Sequence, residues 1–244
     1  MKTIDKNIPV IILAGGEGMY PGIQQKFLPK AMVEVKGNPL IYYIIRQYQL
    51  SGFSEFYICA GKGKEIISEY TEKKLNDKKT KITVFDTGDD NRTGSRFAQA
   101  RRFVKGAECV STTYADTYSD VDISELYKAH IDSGKTATLL AVHLPTRFRI
   151  LGLVDRDPLV RGFANKPVLE RDYINGGFYF FNREIFEMKT LNESPGCVLE
   201  NEVLEELISK KELNSFRYNG FWQPVDSEKD IKLISRYLSG VNKD

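Results

Sequence analysis

The first half of the chain alternates short apolar runs with longer segments whose apolar residues recur at helical spacing. The run "VIILA" (10–14) precedes the helix-like "PLIYYIIRQYQLSG" (39–52), and "FYICAG", "KITVFDT" and "CVSTTYAD" each precede a further helix-like segment. Strands that alternate with helices predict a parallel sheet with crossover helices. Ligands bind where parallel strands end, so four consecutive βα units predict a site near Gly15, Asp86 and Asp116.

The pattern changes after "TATLLAVHLP" to shorter strands. The runs "FRILGLVDRD" and "LVRGFANKP" flank a turn at 155–158, and "INGGFYFFN" and two helical segments follow. The sequence shows no linker, repeat or low-complexity stretch that would divide it. We therefore predict one α/β domain over residues 1–244, with a Rossmann-like mixed, mainly parallel sheet, helices on both faces and a small β-hairpin appendage.

Charge and cysteine content restrict the partners and the compartment. The 244 residues include 35 basic and 33 acidic side chains, a net charge of +2, which does not predict binding to nucleic acid or to an anionic membrane. The three cysteines, Cys59, Cys109 and Cys197, are widely spaced and predict reduced core residues rather than a disulfide framework. The sequence has no apolar run of about 18 residues. We expect a cytoplasmic protein with a small-molecule partner.

A glycine-rich loop follows the first strand. Glycines at 15, 16, 18 and 22 in "AGGEGMYPG" match neither G-x-G-x-x-G nor the P-loop pattern, which argues against a dinucleotide site and a P-loop ATPase. A strand followed by Gly-Gly-x-Gly lets phosphate groups approach backbone N–H groups. A tight turn explains the same glycines equally well.

Two carboxylates are candidates for a metal site. Asp116 ends "CVSTTYAD", so its side chain is expected at the same sheet edge as the glycine loop, where Mg²⁺ bound to nucleotide phosphates would be held. The alternative is that Asp116 caps a turn. Asp226 in "GFWQPVDSEKD" precedes a helix and is a candidate N-cap, a role that does not exclude metal binding.

Eight segments, in this order, resemble the sugar-phosphate nucleotidyltransferases over nearly the whole chain, and among them the glucose-1-phosphate cytidylyltransferases. They are "VIILAGGEG", "PKAMVEVKGNPL", "VFDTGDDNRTGSR", "TTYADT", "FANKP", "YINGGFYFFN", "ENEVLEEL" and "GFWQPVDS". The resemblance implies a GT-A-like nucleotidyltransferase fold and a Mg²⁺-dependent reaction. In that reaction CTP and an acceptor monophosphate give a CDP-linked product and pyrophosphate, without a covalent enzyme intermediate.

The resemblance also implies roles for individual residues. Asp116 and Asp226 are expected to hold the metal, and Lys30 of "LPKAM" to face the phosphates. Nucleotide contacts are expected from Ala14, Gly15, Gly16, Gly18, Asn91, Arg96 and Ala115. Acceptor contacts are expected from Asn165, Lys166, Asn175 and Gly176. Residues 8–145 would thus form the nucleotide-binding half and residues 146–244 the acceptor-binding half.

The glycine loop departs from the family pattern. The family has Gly-Thr-Arg-Leu, whereas Gly18 here is followed by Met-Tyr-Pro, so that Tyr20 stands in place of an arginine. The usual Lys-Pro-Lys-Pro reads Leu-Pro-Lys-Ala at 28–31, which keeps one lysine. Lys26 and Arg92 are candidate replacements for the lost cation; the alternative for both is a solvated surface charge.

The acceptor region and a connection also differ from the family. Asn165 replaces a glutamate that accepts hydrogen bonds from sugar hydroxyls, and an amide both donates and accepts. The acceptor is therefore predicted to be another small phosphate: a different sugar phosphate, a polyol phosphate or a phosphoglutamine-like compound. The connection before "KITVFDTG" is shorter than in the cytidylyltransferases, so the resemblance implies no particular homo-oligomer.

Two other functions compete with this interpretation. A GT-A-type glycosyltransferase would use Asp120-Val121-Asp122 as a metal motif, although these aspartates are better explained as the start of a helix. A non-catalytic nucleotide-binding relative would explain the altered loop. His130 and His143 have no sequence context that indicates a triad or a metal site.

Overall fold

The computed structural model describes residues 8–16, 18, 27–143, 150–154, 157–164 and 172–240. Within them, the main sheet consists of β1 (Val10–Ala14), β4 (Glu55–Ala60), β5 (Lys81–Asp86), β6 (Cys109–Tyr114), β8 (Ala137–His143), β11 (Tyr173–Asn182) and β12 (Leu213–Tyr218). The strand order is β12-β8-β11-β6-β1-β4-β5. All neighbours are parallel except at β11, which runs antiparallel to both β6 and β8. The predicted mixed, mainly parallel sheet is confirmed.

Short strand pairs stand beside the main sheet. They are β2 (Glu34–Val35) with β3 (Asn38–Pro39), β7 (Thr117–Ser119) with β13 (Trp222–Pro224), and β9 (Ile150–Val154) with β10 (Asp157–Ala164). The last pair is the hairpin expected in the second half of the chain. The β7–β13 pair joins two segments that are far apart in sequence, and it borders the candidate active site.

Helices cover both faces of the sheet, as the alternating pattern predicts. They are α1 (Leu40–Leu50), α2 (Lys64–Lys74), α3 (Thr93–Ala100), α4 (Ile123–Ser133), α5 (Leu204–Ser209) and α6 (Glu228–Leu238), with single turns at Lys30–Met32, Arg183–Glu187 and Leu199–Val203. Helices α1, α2, α4 and α6 pack on one face, and α3 and α5 on the other. In the part of the chain that the structure describes, no helix is long and apolar enough to cross a membrane.

Helix α3 is shorter than the helix-like segment that follows "KITVFDT", which is "GSRFAQARRFV" (94–104). It ends at Ala100, and residues 101–104 continue as a turn in which Phe103 N–H bonds to the Ala100 carbonyl and Val104 N–H to the Arg101 carbonyl. The turn lets Val104 reach the core between the sheet and α3. The helix therefore ends before the apolar pattern of the segment does.

Strand β1 lies in the interior of the sheet, between β6 and β4, and each of its residues is buried. Successive side chains point to opposite faces, so Val10 and Ile12 enter one core and Ile11 and Leu13 the other. The chain continues from β1 to β4 on one side, whereas β6 pairs with β1 on the other. The carboxyl end of β1 is therefore a switch point in strand order, the place where open α/β sheets bind ligands.

Candidate active site

A cavity of about 620 Å³ opens at the carboxyl ends of β1 and β6. Its lining residues are Leu13, Ala14, Gly15, Gly16, Lys30, Ala31, Asp89, Asp90, Asn91, Arg92, Thr93, Arg96, Tyr114, Ala115, Asp116 and Glu200. The lining includes most of the residues that the resemblance assigns to nucleotide binding. A cavity of this size accommodates a small-molecule ligand.

The glycines of the first loop are required for different reasons. A Cβ atom on Gly15 would lie 2.0 Å from the Arg96 guanidinium carbon, and one on Gly18 would lie 2.6 Å from the backbone nitrogen of Lys30. A Cβ atom on Gly16 would meet nothing within 4 Å. Gly15 and Gly18 therefore allow close packing within the protein, whereas Gly16 faces open space where a ligand can approach the backbone.

Arg96 is buried beneath the glycine loop, with 3% of its surface exposed. One terminal nitrogen donates to the Gly15 carbonyl at 2.6 Å and to the Asp89 carbonyl at 3.1 Å. The other donates to the Ala60 carbonyl and to the Thr87 hydroxyl. Burial lowers the pKa of Arg96, although arginine stays charged in proteins. The side chain thus ties together the ends of β1, β4 and β5, a support role that the sequence does not predict.

Lys30 lies between the two candidate metal ligands. Its ammonium nitrogen is 3.2 Å from Asp116 Oδ2 and 2.9 Å from Asp226 Oδ1. Burial by itself lowers the pKa of Lys30, but the two carboxylates outweigh it and raise this pKa above its usual value. Lys30 is therefore a permanent cation at the edge of the cavity. Lys30, Asp116 and Asp226 are the predicted catalytic and metal-binding residues that lie within the described ranges. The structure brings these three side chains together.

The two aspartates meet because their flanking strands pair. Strand β7 follows Asp116 directly, and one residue, Val225, separates the end of β13 from Asp226. The two strands are antiparallel, with Thr117 opposite Pro224. The Val225 N–H donates to the Asp116 carbonyl at 2.8 Å. Ser227 is the N-cap residue of α6, so the N-cap role considered for Asp226 is wrong.

The carboxylate pair fits a magnesium ion. Both side chains already face one cation, the Lys30 ammonium, at hydrogen-bond distance. Carboxylate oxygens are hard ligands, and Mg²⁺ is usually held by one or two of them together with substrate phosphates and water. Among the described residues, no group of three or more His, Cys, Asp or Glu side chains could hold a metal. Two carboxylates leave the other positions around such an ion to water and phosphate oxygens.

One wall of the cavity consists of residues that the sequence does not assign to the site. Asp89, Asp90, Thr93 and Glu200 line it, and the Thr93 hydroxyl donates to Glu200 Oε2 at 2.7 Å. The segment before Glu200 packs on the start of α3, where Leu199 N–H donates to Thr93 Oγ1 at 3.0 Å. The segments "VFDTGDDNRTGSR" and "ENEVLEEL" contain these residues, and no spacing rule places the two segments together.

The predicted acceptor residues on β11 lie outside the cavity lining. Asn175 accepts a hydrogen bond from Gly177 N–H at 3.0 Å and donates to the Tyr179 hydroxyl, at an irregularity in the pairing of β11 with β8. The Gly176 carbonyl accepts from the Trp222 indole at 2.8 Å. The amide of Asn175 thus supports the local strand geometry, and an acceptor contact stays a prediction. The other predicted residues, Lys26, Asn165 and Lys166, lie outside the described residues.

The aspartates of the alternative glycosyltransferase motif have structural roles. Asp122 is the N-cap of α4 and accepts from Ser124 N–H at 2.8 Å, as the helix-start interpretation predicts. Asp120 accepts from Phe221 N–H at 2.7 Å and from the hydroxyls of Tyr218 and Tyr237. Both side chains therefore hold the fold together.

The histidines and cysteines are not arranged for catalysis. His130 is buried between Thr138 Oγ1, at 3.1 Å, and Asn182 Oδ1, at 3.0 Å. His143 lies at the end of β8 beside the Asp172 carbonyl. The cysteines are buried and unbridged, as expected for reduced core residues.

Comparison with known proteins gives consistent results. A family model described as nucleotidyl transferase matches residues 9–235. The chain is 33% identical to glucose-1-phosphate cytidylyltransferase of Salmonella typhimurium, over 95% of this chain and 94% of that protein. It is 28% identical to a probable glucose-1-phosphate cytidylyltransferase of Bacillus subtilis, over 93% of this chain and 94% of that protein.

Solved structures share the fold at lower identity. HddC from Yersinia pseudotuberculosis, complexed with GMP-PN, superposes with a TM-score of 0.70 at 19% identity, over 95% of this chain and 99% of that one. A putative glucose-1-phosphate thymidylyltransferase from Bacillus anthracis superposes with a TM-score of 0.73 at 17% identity, over 97% of each chain. The whole described architecture therefore has counterparts among solved proteins.

Proposed function

The chain is an enzyme of the nucleotidyltransferase family, and we propose that it is a Mg²⁺-dependent cytidylyltransferase. It would join CTP to a small phosphorylated acceptor and release pyrophosphate. The observation that carries the proposal is the Lys30 ammonium, which lies between Asp116 and Asp226 at the edge of the cavity that the glycine loop lines. A lysine ammonium and two carboxylates thus lie beside the glycine loop, and we propose that the carboxylates bind the metal and that the loop binds phosphate.

The glycine loop and its support would position the triphosphate. Gly16 leaves its backbone open to the cavity, while Arg96 holds the Gly15 carbonyl and keeps the loop in place. Ala14 and Ala115 line the same cavity with small side chains, which leave room for a nucleotide. These contacts would lower the barrier chiefly by positioning the reactants, a contribution that is large in phosphoryl-type transfers.

The reaction needs no protein nucleophile. A phosphate oxygen of the acceptor would attack the α-phosphorus of CTP, the bond from that phosphorus to the bridging oxygen would break, and pyrophosphate would leave with the bonding electrons. Mg²⁺, held by Asp116 and Asp226, would supply positive charge to the triphosphate as it reacts. The Lys30 ammonium lies beside the same two carboxylates, and it would add a second positive charge.

The choice of CTP rests on the named relatives, and the acceptor is proposed from the sequence. The Salmonella typhimurium protein is named for glucose 1-phosphate and a cytidylyl group. Asn165 replaces the glutamate that the resemblance places at the sugar hydroxyls, so we propose an acceptor other than glucose 1-phosphate. Candidates are another sugar phosphate, a polyol phosphate and a phosphoglutamine-like compound.

A matrix of substrates tests the proposal. CTP, UTP, dTTP and GTP are each incubated with Mg²⁺ and a panel of sugar, polyol and amide phosphates, and pyrophosphate release is measured. CTP with at least one acceptor should release pyrophosphate, and the acceptor identifies the product. Binding of CTP without pyrophosphate release across the panel would favour the non-catalytic alternative.

A further inference from the structure

We infer that Asp230 is a positioning residue that holds Asp226 toward Asp116 and Lys30. The inference rests on the proposed function, because that function gives Asp226 its role as a metal ligand. Asp230 lies in the first turn of α6, four residues after Asp226, and 3% of its surface is exposed. Because Asp230 is buried, any effect on the site must act through other residues.

The Asp230 carboxylate accepts hydrogen bonds from the segment that carries Asp226. Oδ2 accepts from the backbone N–H of Asp226 at 3.1 Å and from the Ser227 hydroxyl at 2.8 Å. Oδ1 accepts from the Gln223 side-chain amide at 2.8 Å. A buried carboxylate requires such donors, and here they come from both sides of Asp226.

These contacts fix a short connection between a strand and a helix. Strand β13 ends at Pro224 and α6 begins at Glu228, so three residues link them. Val225 N–H is bound to the Asp116 carbonyl, and Asp226 N–H to Asp230. The backbone is therefore held immediately before and at Asp226.

Anchoring of the backbone matters because the Asp226 side chain is 53% exposed. Packing alone does not fix the direction of such a side chain. Groups that hydrogen-bond around a metal ligand orient it, and their loss typically weakens metal affinity or activity by about 10- to 100-fold. We therefore expect Asp230 to determine how well Asp226 and Asp116 converge on one ion.

The test measures the Asp226 amide and the metal requirement in the same variants. Hydrogen–deuterium exchange of the 222–230 segment reports the Asp226 N–H without any ligand, and the Mg²⁺ concentration for half-maximal pyrophosphate release reports the metal site. Asp230→Ala should speed exchange at 225–227 and raise the Mg²⁺ requirement about 10- to 100-fold, with the KM for CTP unchanged at saturating Mg²⁺.

Two further variants make the result specific. Ser227→Ala removes one donor to Asp230 but leaves the Asp226 N–H bond, so it should keep the wild-type Mg²⁺ requirement. Asp230→Asn retains one acceptor oxygen, and it carries the test if Asp230→Ala does not fold. In every folded Asp230 variant the exchange rate and the Mg²⁺ requirement should rise together, and a folded Asp230→Ala variant in which neither rises would overturn the inference.

Faster exchange with a wild-type Mg²⁺ requirement would overturn the inference, because Asp230 would then be structural only. A raised Mg²⁺ requirement with wild-type exchange would also overturn it. Failure of the proposed function looks different, since wild-type protein would then release no pyrophosphate from any nucleotide and acceptor, while the exchange experiment would be unaffected.

Discussion

The ammonium of Lys30 lies 2.9 Å from Asp226 Oδ1, although the two residues are 196 positions apart in the sequence. Asp116 Oδ2 lies 3.2 Å from the same nitrogen. The site thus joins the segment after the glycine loop, the end of β6 and the start of α6. This ion-paired arrangement makes Lys30 the first residue to test.

Lys30→Met should weaken CTP binding and slow turnover. A charge-assisted hydrogen bond contributes about 1.5–3 kcal/mol, which corresponds to a loss of roughly 10- to 100-fold in kcat/KM. Lys64→Met is a matched control, because Lys64 lies at the same sheet edge, 3.5 Å from Asp86, but does not line the cavity. Steady-state pyrophosphate release measures both variants. Equal activities in the two would remove Lys30 from the mechanism.

Gly15→Ala should destabilise the fold, whereas Gly16→Ala should not. The new Cβ atom would overlap the Arg96 guanidinium at Gly15, and overpacking of this kind costs about 1–3 kcal/mol. At Gly16 the same methyl group meets open space, so a change within about 0.5 kcal/mol is expected. Urea unfolding of both variants measures the difference. Equal free energies of unfolding would show that Arg96 moves aside without cost.

Arg92→Ala should raise the KM for CTP about 10- to 100-fold, the effect of losing one charge-assisted contact to phosphate. Arg92 lines the cavity and is exposed. Two residues, Lys26 and Arg92, are candidates to replace the arginine that Tyr20 displaces, and Arg92 is the one that lies within the described residues. Arg101→Ala removes an exposed arginine just past the other end of α3 and should leave the KM unchanged. A wild-type KM in Arg92→Ala would show that another residue, with Lys26 the remaining candidate, faces the phosphates.

The free energy of unfolding should fall as pH decreases from 7.5 to 5.5, because of His130. Burial lowers the pKa of His130 below its usual value of 6.5, although a hydrogen bond with Asn182 partly opposes this. His130 therefore takes up a proton more readily in the unfolded chain than in the folded protein, and lower pH favours unfolding. The slope contributed is at most about 1.4 kcal/mol per pH unit.

Urea unfolding across this pH range measures the effect of His130. His130→Gln should flatten the curve, because the titrating group is removed. If the pH dependence of the free energy of unfolding is the same in His130→Gln as in the wild type, then His130 is not its cause.

The sequence predicts the sheet and most helices because their apolar residues are periodic and buried. Segment 39–52, for example, becomes α1, and four of its isoleucine and leucine side chains are fully buried in the core. The end of α3 could not be predicted in this way. The helical pattern continues to Val104, yet the helix ends at Ala100 and the following turn places Val104 in the core.

The position of a site residue could be predicted where that residue directly follows a strand of the parallel sheet. Asp116 and the glycine loop follow strands β6 and β1, so their meeting follows from parallel pairing. The convergence of Asp226 depends on the pairing of β7 with β13, and the support of Gly15 by Arg96 depends on three strand ends meeting. Those contacts are long-range, and no spacing in the chain encodes them.

Pyrophosphate release from Mg²⁺-CTP and a phosphorylated acceptor, compared between wild type and Asp116→Asn, is the most direct test of the proposed function. The substitution preserves the shape of the side chain and removes the negative charge that would hold the metal. Wild-type protein should release pyrophosphate, and Asp116→Asn should lose at least about 10²–10³-fold in turnover, as expected when electrostatic stabilisation of a transition state is removed. Near-normal turnover in Asp116→Asn would contradict the metal site.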